Sequence, residues 1–256
     1  MKNLIHRLLI LCCLYLFGIS VTWAENHKAT DFTELDMKDL LKVKVTSVSK
    51  KAQALSDAPS AVYVISQEDL RRSGVTNIPE ALRMAPGIDV ARINASKWAI
   101  TSRGFNGANA NKLLVLIDGR AVYTPAFSGV YWDAQDVLME DVERIEVIRG
   151  PGATLWGANA VNGVINIITK RAEDTQGGLL TGGGGTLETG FGSARYGAKL
   201  TEDTYGRAYV KGFVRDNFKT TAGNDSAGDN WDRAAPGRQT GLPSVADRVR
   251  LRRVLS

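Results

Sequence analysis

Few side chains in this sequence could act on a chemical bond. The 256 residues include two histidines and two cysteines. His6, Cys12 and Cys13 lie in the first two dozen residues, so His27 is the one histidine beyond them. Nucleophilic sets that need His with Ser or Cys are therefore excluded from the rest of the chain, as are zinc sites built from Cys and His.

Two other patterns could suggest an enzyme, and both fail. The carboxylate pairs Glu68/Asp69 and Glu140/Asp141 fall on predicted helices, where we expect them to be solvated surface charges. The glycine-rich stretch 150–157 is not followed by Gly-Lys-Ser/Thr or by a long helix, so it lacks the geometry that cradles a phosphate. We predict that the protein is not an enzyme and holds no cofactor and no metal.

Residues 1–24 have the pattern of a secretory signal peptide. Lys2 and Arg7 precede an apolar run at 8–21, and Ala24 ends a small-residue cleavage motif. The alternative is a membrane anchor, but a run of about 14 residues is too short to span a bilayer as a helix. A lipoprotein signal is the weaker alternative, because Leu11 before Cys12 is bulkier than such a signal prefers.

The charge balance excludes one further class of partner. The formal net charge is +5 and is dispersed along the chain, which does not indicate binding to nucleic acid. No segment after the signal is apolar for 18 residues, so no transmembrane helix is predicted. A membrane role would have to come from β-strands.

Residues 25–57 form a polar extension. A short helix is possible at 31–41, where apolar residues fall roughly on one side. Polar and apolar residues then alternate over 42–49, which predicts a strand with nothing nearby to pair with.

Residues 58–171 are predicted to form one compact α+β domain. Ser66 caps a helix, with Asp69 as its capping-box partner and Gly74 as its stop. Asp118-Gly119 predicts a tight hairpin turn. Strands are predicted at residues 61–65, 88–93, 98–103, 113–117, 120–123, 145–148 and 163–169. Further short helices are predicted at residues 78–84 and 136–142.

Residues 172–256 change in character. Segments of about ten residues have one apolar and one polar face and are joined by a tight turn at 201–204, a pattern typical of the first strands of an outer-membrane β-barrel. A soluble β-meander would show the same pattern. The last stretch, 234–256, loses the alternation and is Arg-rich. Because an open sheet edge cannot lie in lipid, we expect an incomplete barrel from a truncated or frame-shifted product.

Five segments in order resemble the plug domain of TonB-dependent outer-membrane receptors. They are residues 58–65, residues 78–90, Ser102-Arg103-Gly104-Phe105, residues 114–120, and residues 142–170 with the Ile148-Arg149-Gly150-Pro151 motif. The resemblance implies an α+β plug domain with a small mixed β-sheet, followed by the first antiparallel strands of a truncated transmembrane barrel. It also implies location in the cell outer membrane of a Gram-negative bacterium after Sec-type export.

The resemblance implies a mechanism driven through TonB. In the family, TonB binds a short periplasmic segment, the TonB box, and pulls on it. The matching candidate comprises Val43, Lys44, Val45, Thr46, Ser47 and Val48. A polar tether with one β-prone segment suits strand addition to a partner. An ordinary linker with accidental alternation is the alternative.

The resemblance also implies residues that face the ligand or the barrel wall. The ligand-facing plug loops would supply Asn94, Ala95, Ser96, Lys97, Phe127, Ser128, Tyr131 and Trp132. The aromatic rings among them could stack on a planar ligand or pack against the barrel wall. Charge contacts between plug and barrel would come from Arg103, Glu143, Glu146 and Arg149.

The ligand itself is left open by the sequence. A ferric siderophore is the commonest cargo of the family and is our first expectation, with cobalamin, haem and oligosaccharide as alternatives. The expected partners are TonB, a metal chelate or other small molecule, and outer-membrane lipid. The competing function is a soluble periplasmic plug-like binding module without transport activity.

Overall fold

The computed structural model describes residues 61–150, 156–218 and 228–241, together with two short strands near the start of the chain. Those strands, β1 (Lys44–Val45) and β2 (Gln53–Ala54), and residues 231 and 235–241 are described as backbone. The predicted signal peptide, most of the predicted extension and the last 15 residues lie outside the described residues.

The first part of the α+β domain follows from local capping and turn chemistry. Strand β3 (Ala61–Ser66) leads into helix α1 (Gln67–Ser73), where the Ser66 side chain accepts from the Asp69 backbone and the Asp69 carboxylate accepts from the Ser66 N–H. Gly74 ends the helix at φ 67°. This left-handed conformation favours glycine, which has no Cβ to clash with the preceding turn. The predicted cap, partner and stop are all confirmed.

A second short helix begins at a side-chain cap. The Asn77 side chain accepts from the Glu80 N–H and starts α2 (Ile78–Ala81), with Pro79 in its first turn. A 3₁₀ turn (Leu82–Met84) completes the segment, which matches the predicted helix at 78–84.

The remaining elements of the α+β domain follow in chain order. They are β4 (Ile88–Arg92), β5 (Trp98–Ser102), β6 (Leu113–Ile117), β7 (Arg120–Ala121), a 3₁₀ turn (Met139–Asp141), β8 (Val142–Arg149), β9 (Gly163–Thr169) and a 3₁₀ turn (Ala172–Thr175).

The central sheet of the domain is mixed, as predicted. Its strand order is β3-β8-β9-β6-β7, with β6 and β9 parallel and the other neighbours antiparallel. Asp118 and Gly119 both have positive φ and close the two-residue hairpin between β6 and β7. Strands β4 and β5 form a separate antiparallel hairpin. The core on this sheet is built from aliphatic side chains, including Ile65, Val115, Ile145, Val147, Ile165 and Ile167.

One predicted helix is wrong. Residues 136–142 form only the 3₁₀ turn Met139–Asp141, and β8 begins at Val142, earlier than predicted. The groups of Asp136 and Val137 are instead bound by Lys211, a residue far along the chain. A long-range contact has overridden local helix propensity.

A four-stranded antiparallel sheet follows the α+β domain and is called the meander here. Its strands are β10 (Gly177–Gly183), β11 (Glu188–Thr201), β12 (Thr204–Arg215) and β13 (Trp231–Gly241), paired in chain order. The predicted tight turn between β11 and β12 is confirmed, with Thr201 opposite Thr204. The sequence loses its apolar/polar alternation from residue 234, yet residues 234–241 continue β13 in register with β12.

Among the residues that the structure describes, no helix is long and apolar enough to cross a bilayer.

Candidate functional site

Strand β12 buries its charged residues and exposes its two valines. Alternate side chains of a strand face opposite sides, so Arg207, Lys211 and Arg215 lie on one face. All three are buried against the α+β domain. Val210 and Val214, on the other face, are 49% and 53% exposed. We call the three cations the β12 cation row.

Arg207 and Lys211 are paired with carboxylates from one segment of the α+β domain. We call this segment, residues 133–141, the docking segment. The carboxylate of Asp141 is buried and accepts from Arg195 of β11. Its second oxygen lies 3.4 Å from Nε of Arg207 on the neighbouring strand. One buried carboxylate therefore joins two strands of the meander to the domain.

Lys211 is held by three acceptors. Its ammonium donates to Asp136 at 2.7 Å, to the Thr76 carbonyl at 2.8 Å and to the Val137 carbonyl at 3.3 Å. An ammonium has three N–H donors, so all of its hydrogen-bonding capacity is used. A buried charge is tolerated only when it is paired and hydrogen-bonded in this way.

The docking segment contacts a third strand and borders a further cation. Arg233 of β13 donates to the Asp133 carbonyl, so the segment touches β11, β12 and β13. Burial lowers the pKa of Lys170 nearby, and the charge of Asp141 opposes that shift. The cluster around Asp141 thus carries more cations than carboxylates. Removing this carboxylate would leave the cations without a counterion.

The far end of β12 carries stacked arginines and aromatic rings. Arg215 pairs with Glu188 at 2.8 Å and lies 3.9 Å from the ring centroid of Phe213. Its guanidinium is also 5.3 Å from the Trp98 ring centroid. The contact with Trp98 links the β4–β5 hairpin to the meander.

Arg92 extends the same stack from the α+β domain. It lies between the rings of Trp98 and Phe218, at 5.2 and 5.1 Å. The Trp98 N–H donates to Glu80 at 2.7 Å. Burial works against ionisation of Glu80, but hydrogen bonds from Arg83 and Trp98 leave the pKa of that carboxyl below its ordinary value.

The tip of the β4–β5 hairpin, residues 93–97, is a preorganised turn. The Asn94 side-chain oxygen accepts from the Ser96 and Lys97 backbones at 3.0 and 2.8 Å. Asp229, in the connection between β12 and β13, accepts from the Ala95 N–H at 2.8 Å. That hydrogen bond is the main cause of the lowered pKa of Asp229.

These contacts correct part of the predicted ligand-facing set. Ala95 and Ser96 are buried, so of the four residues predicted here Asn94 and Lys97 are accessible to a ligand. Trp132 is buried in the core and offers no ring face for stacking. Sequence alone did not distinguish buried positions of these loops from exposed ones.

The other predicted loop keeps its exposed aromatic face. Phe127 and Tyr131 form an edge-to-face pair with ring centroids 5.1 Å apart, and Tyr131 is 50% exposed. Ser128 between them has φ 55°, which turns the chain sharply. The loop is therefore placed to present rings outward, and whether a ligand uses them stays a prediction.

The predicted charge contacts lie elsewhere than expected. Glu146 is buried within the central sheet and pairs with Arg144 at 2.8 Å. Glu143 also pairs with Arg144. The ion pairs that join the two sheets are formed instead by Asp136 and Asp141.

The two predicted arginines flank glycines of the α+β domain. A Cβ on Gly150 would lie 3.7 Å from an Nη of Arg103, and a Cβ on Gly87 would lie 3.4 Å from Cδ of Arg149. In the described part of the chain, buried Nε of Arg149 has no hydrogen-bond partner. A role in binding a barrel wall stays a prediction for both.

The predicted TonB box is only partly described. Lys44 pairs with Ala54 and Val45 with Gln53, whereas positions 43 and 46–48 lie outside the described residues. The expectation that this segment has no partner nearby is therefore wrong for Lys44 and Val45, because β2 lies only a few residues downstream.

No group of three or more His, Cys, Asp or Glu side chains is arranged to hold a metal ion within the described ranges.

A family model described as the TonB-dependent Receptor Plug Domain matches residues 54–164. The vitamin B12 transporter BtuB of Vibrio vulnificus is 30% identical over 142 residues, which cover 56% of this chain and 23% of that protein. BtuB of Vibrio cholerae is 31% identical over 144 residues. This chain thus spans about a quarter of the length of these relatives.

Solved structures share the fold. The ferric yersiniabactin uptake receptor FyuA of Yersinia pestis superposes with a TM-score of 0.58 at 22% identity, over 78% of this chain and 30% of that one. The pyoverdine outer membrane receptor FpvA of Pseudomonas aeruginosa superposes with a TM-score of 0.56 at 23% identity, over 68% and 25%. At this level of identity the likeness supports the fold alone.

Proposed function

Since this chain carries a TonB-dependent receptor plug domain, we propose that it acts in the outer membrane as a receptor that takes up a scarce small-molecule ligand through TonB. The predicted resemblance to this family is confirmed for the plug domain. The location in the outer membrane, the identity of the ligand and the coupling to TonB are what we propose.

The observation that carries the proposal is the burial pattern of β12. A strand in a water-soluble sheet places apolar side chains inward, whereas β12 places cations against the plug and valines outward. That pattern suits a wall with lipid on one side and a polar, plug-filled lumen on the other. The neighbouring outward positions Leu180 and Tyr196 are also exposed and apolar or aromatic.

The TonB contact is proposed at residues 43–48. A short strand can add to the edge of a partner sheet through backbone hydrogen bonds. Lys44 and Val45 already use such bonds with Gln53 and Ala54. On this proposal, the pairing between β1 and β2 is replaced by pairing between residues 43–48 and a strand of TonB.

The ligand class is supported only in outline by the relatives. Among them are transporters of vitamin B12 and receptors of ferric siderophores. A ferric siderophore is the leading candidate and a cobalamin or haem the alternative.

The proposal is tested by uptake in a Gram-negative host with and without TonB. Labelled cyanocobalamin and a labelled ferric trihydroxamate serve as probes, and membrane fractionation locates the chain. Val45→Pro removes a backbone N–H that strand addition needs. We expect it to abolish the TonB-dependent part of uptake.

Two controls separate the box from the strand pair. Val45→Thr keeps strand propensity and the N–H, and should leave uptake unchanged. Gln53→Pro disrupts the same β1–β2 pair without altering the box, and should also leave uptake intact. A chain recovered in the soluble periplasmic fraction, or uptake equal with and without TonB, would refute the proposal in favour of a soluble binding module.

A further inference from the structure

The sequence contains the dipeptide Asn-Gly twice, at Asn106-Gly107 and at Asn162-Gly163. In such a dipeptide the glycine nitrogen can attack the side-chain amide of the asparagine, because glycine has no Cβ to obstruct the approach. The attack also requires that the side chain and the following peptide unit can rotate toward each other. The structure around each dipeptide therefore decides whether the reaction takes place.

The dipeptide Asn162-Gly163 is held firmly at the start of β9. The Asn162 side chain donates to the Ser102 carbonyl at 2.9 Å, and its backbone N–H donates to the Lys112 carbonyl at 2.9 Å. Its own carbonyl accepts from the Gly150 N–H at 3.0 Å. Gly163 is buried and is paired with β6 on one side and with β8 on the other. Rotation into the geometry of attack would break these hydrogen bonds.

The dipeptide Asn106-Gly107 has none of these constraints. It lies in the loop between β5 and β6, where Gly107, Ala108 and Asn109 are exposed. The Oδ1 of Asn106 is buried but has no hydrogen-bond partner in the described part of the chain, and no hydrogen bond to another described residue holds the Gly107 N–H. Apart from the adjoining residues, no atom lies within 4 Å of the position that a Cβ on Gly107 would take. The side chain and the next peptide unit can therefore rotate toward each other.

The chain just before Asn106 has an unfavourable backbone conformation. Arg103, Gly104 and Phe105 have φ values of 63°, 87° and 57°, a left-handed region that residues with a side chain seldom adopt. Phe105 is also 92% exposed, so burial of its ring does not hold this conformation in place. A longer backbone link directly after Phe105 would release part of the strain.

We propose that Asn106 is a site of spontaneous covalent modification, at which the side-chain amide is lost and the residue becomes aspartate or isoaspartate. The Gly107 nitrogen attacks Cγ of Asn106, so that an N–Cγ bond forms and the Cγ–Nδ2 bond breaks. The displaced amide nitrogen takes the proton of the Gly107 N–H and leaves as ammonia. Water then opens the resulting cyclic imide. One water is consumed and one ammonia is released, and no oxidant or reductant takes part.

The modification changes both the charge and the backbone of the loop. Opening of the imide at Cγ restores the ordinary backbone with an aspartate side chain. Opening at the backbone carbonyl leaves the chain running through Cγ, which makes it one carbon atom longer beside the strained residues. Both products place a new negative charge between the exposed cations Arg103 and Lys112. Old and new molecules of the protein would thus differ in this loop, whatever ligand the protein takes up.

The test follows both asparagines by mass spectrometry in the full chain, taken from the cell fraction that contains it. Samples are incubated over days in neutral and in mildly alkaline buffer and then digested with trypsin, which releases residues 104–112 and 150–170 as separate peptides. Fragment spectra assign the gain of O and loss of NH to one asparagine. We expect Asn106 to react at least about tenfold faster than Asn162, because Asn162 must first open locally. The rate should rise with pH, since the attacking nitrogen must lose its proton.

Three variants and an unfolded control separate the effect of structure from that of sequence. Gly107→Ala places a Cβ in open space but obstructs the attack, and should slow the reaction about tenfold or more. Ala108→Gly alters the next position by the same methyl group and should leave the rate unchanged. Asn106→Gln keeps an amide but would need a larger ring, and should show no reaction at this position. In urea, Asn106 and Asn162 should react at similar rates.

Three results would overturn the proposal. They are equal rates at Asn106 and Asn162 in the folded chain, no reaction at Asn106 over a time in which the chain in urea reacts, and an unchanged rate in Gly107→Ala. Protection of Asn162 in the folded chain alone supports it and assigns the difference to the fold. The reaction requires neither TonB nor a ligand, so the outcome is independent of the proposed transport.

Discussion

In the central sheet of the plug, Ile165 and Ile167 face a dry core, and the strand carrying them is buried on both faces. In β12 of the meander, Arg207, Lys211 and Arg215 take the inward positions and valines take the outward ones. Both regions obey the same energetics, because the inward cations of β12 are paired with carboxylates and the inward isoleucines of the central sheet pack in an apolar core. The comparison shows that whether a strand face should be polar or apolar depends on what that face contacts.

The largest effect should come from removing the carboxylate that links the two regions. Asp141→Ala leaves Arg195 and Arg207 buried without their anion, which should cost about 3–5 kcal/mol of unfolding free energy. Urea unfolding of the purified chain in detergent, followed by tryptophan fluorescence, measures it. Glu173→Ala removes an exposed pair with Arg171 and should cost at most about 0.5 kcal/mol. Equal costs for the two variants would mean that Asp141 does not anchor the meander.

The next effect compares apolar truncations in the two regions. Ile165→Ala creates a cavity in the plug core and should cost about 2–5 kcal/mol. Val210→Ala, on the outward face of the meander, should cost well under about 1 kcal/mol, since that side chain is half exposed. The same urea titration applies. If the two costs were alike, the outward face of β12 would be packed against protein.

A smaller effect should come from the cap of α1. Ser66→Ala removes the acceptor of the Asp69 N–H and one half of the capping box, which should cost about 1 kcal/mol. Ser66→Asp supplies another cap acceptor and serves as the control. A midpoint for Ser66→Ala equal to that of the unaltered chain would assign the stability of α1 to packing alone.

The smallest effect is a dependence on pH in the same helix. Hydrogen bonds from Arg71 and Arg72 lower the pKa of Glu68 from 4.5 to about 2. A carboxyl with a lowered pKa in the folded state stabilises fully above its unfolded value, and that stabilisation is lost as pH falls from about 4.5 to about 2. Glu68→Gln should therefore differ from the unaltered chain at pH 6 and match it near pH 2. A difference independent of pH would show that Glu68 acts through packing.

Features set by nearby residues could be predicted from the sequence. The cap at Ser66, the stop at Gly74 and the turn at Asp118-Gly119 each depend on groups within a few positions. The docking segment could not be predicted, because Asp136 and its partner Lys211 are 75 residues apart. The sequence showed that charges alternate along β12, but not which carboxylates meet them.

Strand β13 was missed for a related reason. Alternation of apolar and polar residues marks a strand only when one face needs to be apolar. Arg233 faces the docking segment, and β13 forms through backbone pairing with β12 over its whole length. The exposure of individual loop residues, such as buried Ala95 beside exposed Lys97, likewise depends on a distant contact, here with Asp229.

The two-residue turn between β11 and β12 has a consequence for the order of folding. A hairpin closed by so short a turn forms in about 1–10 μs, whereas contacts between distant parts of a chain form later. Thr76 and Lys211 are separated by 135 residues. We therefore expect the β11–β12 hairpin to form first and to set the spacing of Arg207, Lys211 and Arg215. The plug then binds these three side chains in one later step.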